Sequence, residues 1–244
     1  MILGLIPSRL NSSRLKNKPL LIIDGLPIIV HTLKRAQLSK KLDKVIVCTD
    51  SNKIVEVVKK NGGEAILTST KHQNGTERIA EVAKKFKAKM IIDIQGDEPL
   101  VDPKDIDNVI SFHSKNKKFD IVVPSMIEKN NPQSRNLVKV VFNKSGKILY
   151  FSRALVPFSF RDKKPEYYKD LSIVSFLPKA LKKFAHSKIS DLEKTEGIEL
   201  LRALENNLNL GTFVVKGSSF SVDVNSDLLR AINEMPTNPV RKKY

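Results

Sequence analysis

Short apolar runs without polar alternation recur along the first half of this chain, each followed by a segment of helical periodicity. ILGLI at 2–6, KVIVCTD at 44–50 and KMIIDIQGDEPL at 89–100 have the pattern of strands buried on both faces. Between them, LPIIVHTLKRAQ at 26–37 puts Ile29, Leu33 and Ala36 on one helical face. Asp50 and Ser51 are expected to end the second strand and to cap the helix NKIVEVVKK. AILT at 65–68 is a short strand. GTERIAEVAKKF at 75–86 is a helix, with Thr76 as its expected cap and Ile79, Val82, Ala83 and Phe86 on its apolar side. The helix PKDIDNVISFHSK and the strand DIVVPS follow. This alternation with short connections requires an α/β fold, an open and mostly parallel sheet flanked by helices. Ligands of such sheets bind outside the carboxyl ends of the strands. The loops after the first strand, after Asp50 and after Asp93 would open on that side.

The second half breaks the pattern. NLVKVVFNKSGKILYFSRALVPF at 136–158 reads as two strands joined through Asn143 to Gly146. The polar run FRDKKPEYYKD is expected to be loop. A helix at PKALKKFAHSK, a stronger one at EGIELLRALENN and a strand at GTFVVKG come next. SFSVDVNSDLLRAINEM reads as a strand, a turn and a helix. The expected organisation is one domain over 1–244 with a smaller β-containing excursion at about 136–195, after which the last strand and helix return to the main sheet.

With 244 residues, 41% of them hydrophobic, the chain can bury a sizeable core. Its 43 Lys and Arg against 26 Asp and Glu leave a formal charge of +17, which favours anionic partners without choosing among them. Cys48 is the single cysteine, so a disulfide framework or thiolate cluster within one chain is excluded. It lies in an apolar strand and reads as inert packing. Pro7 and Arg9 interrupt the first apolar run, unlike a signal peptide, and no segment approaches the roughly 20 apolar residues of a membrane span. A cytoplasmic protein with no stable membrane insertion is the expectation.

The chemistry-bearing residues fall in four places. GLIPSRLNSSRLKNKPL carries Arg9, Arg14, Lys16 and Lys18 directly after the first strand. Arginine forks and lysine point charges suit a polyphosphate, and a solvated loop has the same composition. Neither phosphate-binding glycine fingerprint is present. IIDIQGDEPLVD gathers Asp93, Asp97 and Glu98 where a strand ends, with Gln95 able to donate and accept. A carboxylate there is placed to hold Mg²⁺ together with substrate phosphates; an ordinary polar turn is the alternative. Asp223 precedes a turn and helix, with Asn225 or Ser226 as expected cap and Asp227 in the first turn. Paired in space with Asp97, it would complete a dicarboxylate site. His72 lies in the loop TSTKHQNGTERIAE, but the four histidines lack zinc spacing. Ser152 lacks a nucleophile-elbow context. Tyr167 and Tyr168 beside basic residues are weak support for base stacking.

LIPSRLNSSRLKNKPL, TKHQNGTERIAE, DIQGDEPLV, VKVVFNKSGKILYFSRALVPF and SVDVNSDLLRA, in this order, resemble the bacterial 3-deoxy-manno-octulosonate cytidylyltransferases. These enzymes make CMP-Kdo, a lipopolysaccharide precursor. The likeness covers most of the chain. It implies a nucleotidyltransferase fold, commonly dimeric, using CTP, an acidic sugar and Mg²⁺. The sugar's anomeric hydroxyl would attack the α-phosphate and pyrophosphate would leave. By that likeness Arg9, Arg14 and Lys18 would hold the triphosphate, with Ser12 and Ser13 in the same loop. Asp97 and Asp223 would hold the metal. Thr76, Glu77 and Arg78 would belong to the nucleotide pocket or its support, and Gln95 would face the sugar.

The departures concern the sugar. Where the family has a stretch like HIGIYAFR, this chain has DLSIVSFL at 170–177, so that histidine becomes Asp170, glycine Ser172, tyrosine Val174 and arginine Leu177. A family LEQLR becomes IELLR, keeping Glu199 and Arg202 but placing Leu200 where glutamine stands. Losing polar partners should change discrimination, because unpaired hydroxyls are costly. Asp170 would suit an amino-bearing acid sugar if it faces the pocket. The rivals are a sugar-1-phosphate nucleotidyltransferase, a basic nucleic-acid-binding module and a silent scaffold. No finger, KH loop or RNP signature favours nucleic acid as a partner.

Overall fold

The computed structural model describes residues 1–11, 14–160, 165–217 and 219–244. Its first strand, β1 (Ile2–Ser8), lies in the interior of a seven-stranded sheet. Then come the short hairpin β2 (Ile22–Ile23) and β3 (Leu26–Pro27), α1 (Ile28–Gln37), β4 (Lys44–Thr49), α2 (Asn52–Lys60), β5 (Glu64–Leu67), α3 (Gly75–Ala83), β6 (Met90–Ile94) and α4 (Pro103–Lys115). The remainder is β7 (Ile121–Val122), β8 (Ser125–Glu128), β9 (Lys139–Phe142), β10 (Ile148–Ser152), β11 (Tyr167–Asp170), β12 (Ile173–Phe176), α5 (Pro178–His186), α6 (Asp191–Glu196), α7 (Leu200–Glu205), β13 (Leu210–Gly211) and α8 (Asn225–Glu234).

The main sheet runs β13-β7-β12-β6-β1-β4-β5. All its pairings are parallel except those of β12, which is antiparallel to both β6 and β7. The expected mostly parallel sheet is thus present, with one reversed strand inside it. Both faces are covered, which is why its strands lack polar alternation. Leu3 and Leu5 of β1 pack with Ile79 and Val82 of α3 and Phe184 of α5 on one face. Ile6, Val47 and Ile92 meet Ile29 and Leu33 of α1 and Ile54 and Val58 of α2 on the other. Cys48 is fully buried, and burial pushes its thiol far above its ordinary range, as inert packing requires.

A second, antiparallel sheet runs β10-β9-β11-β8. Asn143 and Gly146 make the turn expected between β9 and β10. The polar end of FRDKKPEYYKD is not loop: Tyr167–Asp170 forms β11, because β8 and β9 supply backbone partners on both sides. The segment 136–195 also does not leave the main sheet as one piece, since β12 in its middle pairs with β6. GTFVVKG is strand only at Gly211, with one isolated bridge at Val214, because β7 offers just two residues to pair with. Among the described residues of SFSV no strand forms. That segment runs extended to α8, whose Ala231 packs with Ile28, Leu100 and Val222 in a third apolar cluster.

Candidate active site

Three loops at the carboxyl ends of parallel strands close around Pro7. Gly96 comes so near that an added Cβ would lie 2.6 Å from the Pro7 carbonyl oxygen, and one on Gly75 would lie 3.1 Å from the Pro7 ring. Only glycine permits that closeness at 96. The loops enclose an open cavity of about 270 Å³, walled by the basic loop, residues 72–75, the turn at 95–97, Glu199 and Asp223.

The basic loop faces carboxylates. Lys18 Nζ donates to Asp97 Oδ2 at 2.6 Å and to Asp223 Oδ1 at 3.1 Å. Arg14 donates to the same Asp223 oxygen at 2.8 Å. Burial alone would lower the Lys18 pKa. The charges and hydrogen bonds of Asp97 and then Asp223 outweigh it, so the ammonium titrates above the ordinary lysine value. Arg9 is exposed on the cavity rim, with no ion pair among the described residues. Ser12 and Ser13 lie outside the described residues. The two carboxylates expected to act together therefore do converge, with a cation between them. Among the described residues no third His, Cys, Asp or Glu joins them as a metal cluster. Two carboxylates alone would fit Mg²⁺, a cation that takes oxygen ligands and is commonly bound through one or two carboxylates together with phosphates and water.

The α3 side is more structural than the sequence implied. Thr76 does not cap α3; Asn74 does, its side chain accepting from the Glu77 amide at 2.8 Å. Thr76 is buried and donates its hydroxyl to Glu199 Oε2 at 2.6 Å. Glu77 accepts from Arg202 at 3.4 Å. Arg78 touches the cavity, but its guanidinium is held by Asp50 at 2.7 Å and by Thr68 at 2.5 Å. Asp50 thus anchors this arginine. Ser51 sits at the N-cap of α2 without a side-chain cap bond. Asn225 and Ser226 are likewise not caps: they lie inside α8, while Asp227 Oδ2 accepts from the amides of Asp223 and Val224 at 3.0 Å each.

Gln95 lines the cavity, its amide nitrogen donating to both oxygens of Asp93 at 3.1 and 3.0 Å. Its carbonyl oxygen is thereby left as the end free to accept. Burial, and then the charge of Glu199, lifts Asp93 well above the ordinary carboxylate range. Burial also raises Glu199, against the opposing Thr76 hydroxyl. Val174 and Leu200, 7% and 8% exposed, sit in the apolar core and do not line the cavity. Asp170 does not line it either. It is half-buried, and burial, then the charge of Glu98, pushes it up to about 6. Ser172 has φ +34°, in the left-handed region that glycine enters without steric cost.

Sequence reasoning missed the anchoring of these groups. His72, in the cavity wall, pairs with Glu81, and Arg202 makes two 2.6 Å bonds to Glu193. These two pairs each span nine residues across an element boundary, outside the three- or four-residue spacing of a helical pair, while Thr76–Glu199 and Arg202–Glu77 span more than a hundred, so no local motif announces them. Glu98 is 4% exposed and accepts from the hydroxyls of Ser219 and Ser221.

Residues 3–211 match a family model described as cytidylyltransferase. The 3-deoxy-manno-octulosonate cytidylyltransferase of Thermodesulfovibrio yellowstonii is 39% identical over 242 residues, covering 91% of this chain and 93% of that protein. The enzyme of the same name from Rickettsia canadensis is 38% identical over 233 residues, covering 93% of each. Among solved structures, a CMP:2-keto-3-deoxy-manno-octonic acid synthetase complexed with CTP superimposes with a TM-score of 0.92 at 31% identity, over 97% of this chain and 98% of that one.

Proposed function

This chain belongs to the cytidylyltransferase family, and from that premise we propose that it transfers CMP from CTP to 3-deoxy-manno-octulosonate with release of pyrophosphate. The observation that carries this reading is the convergence of Arg14 and Lys18 on Asp97 and Asp223 at the rim of one cavity. The sugar's anomeric oxygen forms a bond to the α-phosphorus as its hydroxyl proton passes to water, and the bond from that phosphorus to the oxygen bridging it to the β-phosphate breaks, that oxygen leaving on pyrophosphate. Such transfer depends on positioning and charge stabilisation rather than on a covalent protein nucleophile. Arg9, Arg14 and Lys18 bind the triphosphate and neutralise the leaving pyrophosphate. Gln95, locked by Asp93, offers its carbonyl oxygen to a hydroxyl of the acceptor. Asp97 and Asp223 would hold Mg²⁺, which would neutralise phosphate oxygens and lower the pKa of a hydroxyl beside it.

The same reading makes the protein cytoplasmic, where CTP is made, and a homodimer. No helix among the described residues is long and apolar enough to cross a membrane. Phe158 and Phe160, 81% and 86% exposed, support a second copy as the cover for that surface.

Pyrophosphate release measured across four nucleoside triphosphates tests the proposal. The acceptor panel holds this sugar, an amino-bearing analogue and sugar 1-phosphates, each with and without Mg²⁺. Turnover is expected with CTP and the keto acid only when the metal is present. Turnover only with a sugar 1-phosphate would overturn the assignment, and turnover only with the amino-bearing analogue would replace the acceptor.

A further inference from the structure

Asp97 and Asp223 reach the cavity from distant parts of the chain. Asp97 follows β6, a fully buried central strand. Asp223 ends a segment in which, among the described residues, no strand ladder fixes the backbone. Three contacts hold that segment beside the 97–98 turn. The Val222 amide donates to the Asp97 carbonyl at 2.9 Å. The Ser221 hydroxyl donates to Glu98 Oε1 at 3.0 Å, and the buried Ser219 hydroxyl donates to Glu98 Oε2. On its other side, Asp227 accepts from the Asp223 and Val224 amides. Asp223 is therefore fixed at both ends, and Glu98 supplies the side-chain hold on the Asp97 side.

We propose that Glu98 is a positioning residue for the dicarboxylate: by clamping Ser219 and Ser221 it sets the Asp223 carboxylate at the distance from Asp97 that a shared divalent cation needs. This rests on the metal role given above to Asp97 and Asp223. Glu98 does not line the cavity, so it acts through the other two rather than on substrate. A carboxylate suits the task because two hydroxyl donors need two acceptors. Glutamine keeps one acceptor and the same shape, while alanine keeps neither. Outer partners that orient metal ligands typically change metal affinity about 10–100-fold when removed.

The test has two arms. In the metal-free protein, hydrogen exchange of the Val222 amide reads the clamp directly. With CTP present, Mn²⁺ titration followed by electron paramagnetic resonance reads its effect on cation binding. Glu98→Ala is expected to speed exchange at Val222 at least about 10-fold, with distant β1 amides unchanged, and to weaken Mn²⁺ about 10–100-fold. Glu98→Gln should restore part of both. Ser221→Ala, a milder change should Glu98→Ala fail to fold, should move both in the same direction by less. Wild-type exchange and wild-type Mn²⁺ affinity in these variants would overturn the proposal, as would faster exchange spread evenly over the sheet. If the unmodified protein takes up no Mn²⁺ with CTP, the metal reading fails, and Val222 exchange still decides whether Glu98 is the clamp.

Discussion

At the cavity rim, the Arg14 side chain keeps 52% of its surface exposed where it meets Asp223, whereas behind α3 Arg202 keeps 1% where it meets Glu193. Both are arginine–carboxylate pairs, at 2.8 and 2.6 Å. Water makes the difference. An exposed pair contributes about 0–1 kcal/mol, so Arg14 can exchange its partner for a phosphate at small cost. A buried, two-pronged pair cannot be broken without stranding a charge, which costs about 3–5 kcal/mol. The exposed rim arginines, Arg9 and Arg14, are thus available for a ligand, and the inner charges of Arg202 with Glu193 and of Arg78 with Asp50 hold the wall that positions it.

Substitutions on the two sides should separate activity from stability. Asp97→Ala, at the rim, is expected to lower kcat/KM by about 10³-fold or more, the scale of a lost charge clamp on a transferring phosphoryl group. Its melting temperature should stay within a few degrees, because Lys18 keeps Asp223. Retained turnover would remove Asp97 from the site. Arg202→Ala should do the reverse on the stability axis, costing about 3–5 kcal/mol and lowering the melting temperature on the order of 10 °C by calorimetry. An unshifted transition would show that the inner pair is no more structural than the rim pair.

A buried carboxylate that is only half satisfied sharpens the contrast further. Asp105, 6% exposed, has a carboxylate oxygen that finds no hydrogen-bond partner among the described residues. Burial first, and the nearby Asp102 second, raises it to about 6. Its folded pKa lies above its unfolded one, so the folded state holds the proton more tightly. Stability is therefore favoured below about pH 4 and lost as pH rises through 6. Asp105→Asn should raise stability at pH 7.5 by at most about 2–3 kcal/mol, and the gain should disappear near pH 4. Urea midpoints at the two pH values check this; an equal change at both would mean that ionisation is not the cause.

Much of the architecture was readable from the chain. β1, β4, β6 and the helices between them have apolar spacing that admits few other structures. The second half was less readable. β11 has the polar sequence YYKD and is a strand because β8 and β9 flank it. GTFVVKG is rich in strand-forming residues yet joins the sheet only at Gly211, with an isolated bridge at Val214, because its neighbour is short. β propensity describes fitness for a pleated, half-buried surface, and the partner decides whether that surface exists. In the site, the basic loop and the acidic turn could be found as clusters. Thr76 and Arg78 could be found as well, but their bonds to Glu199, Asp50 and Thr68 could not. Those partners come together only through the crossovers of the sheet.

What the amino-acid order determined by itself is the sheet-and-helix alternation, the end of the strands where a ligand binds, and the positive charge placed there, because hydrophobic periodicity and local charge are properties of neighbouring residues. Which of those charges remain free to meet a phosphate, and that Asp223 arrives beside Asp97 with Glu98 gripping its segment, was decided by the tertiary structure. Burial and pairing are set by contacts between segments that the chain order leaves far apart, and the dielectric surroundings those contacts create decide whether an arginine binds a ligand or holds a wall.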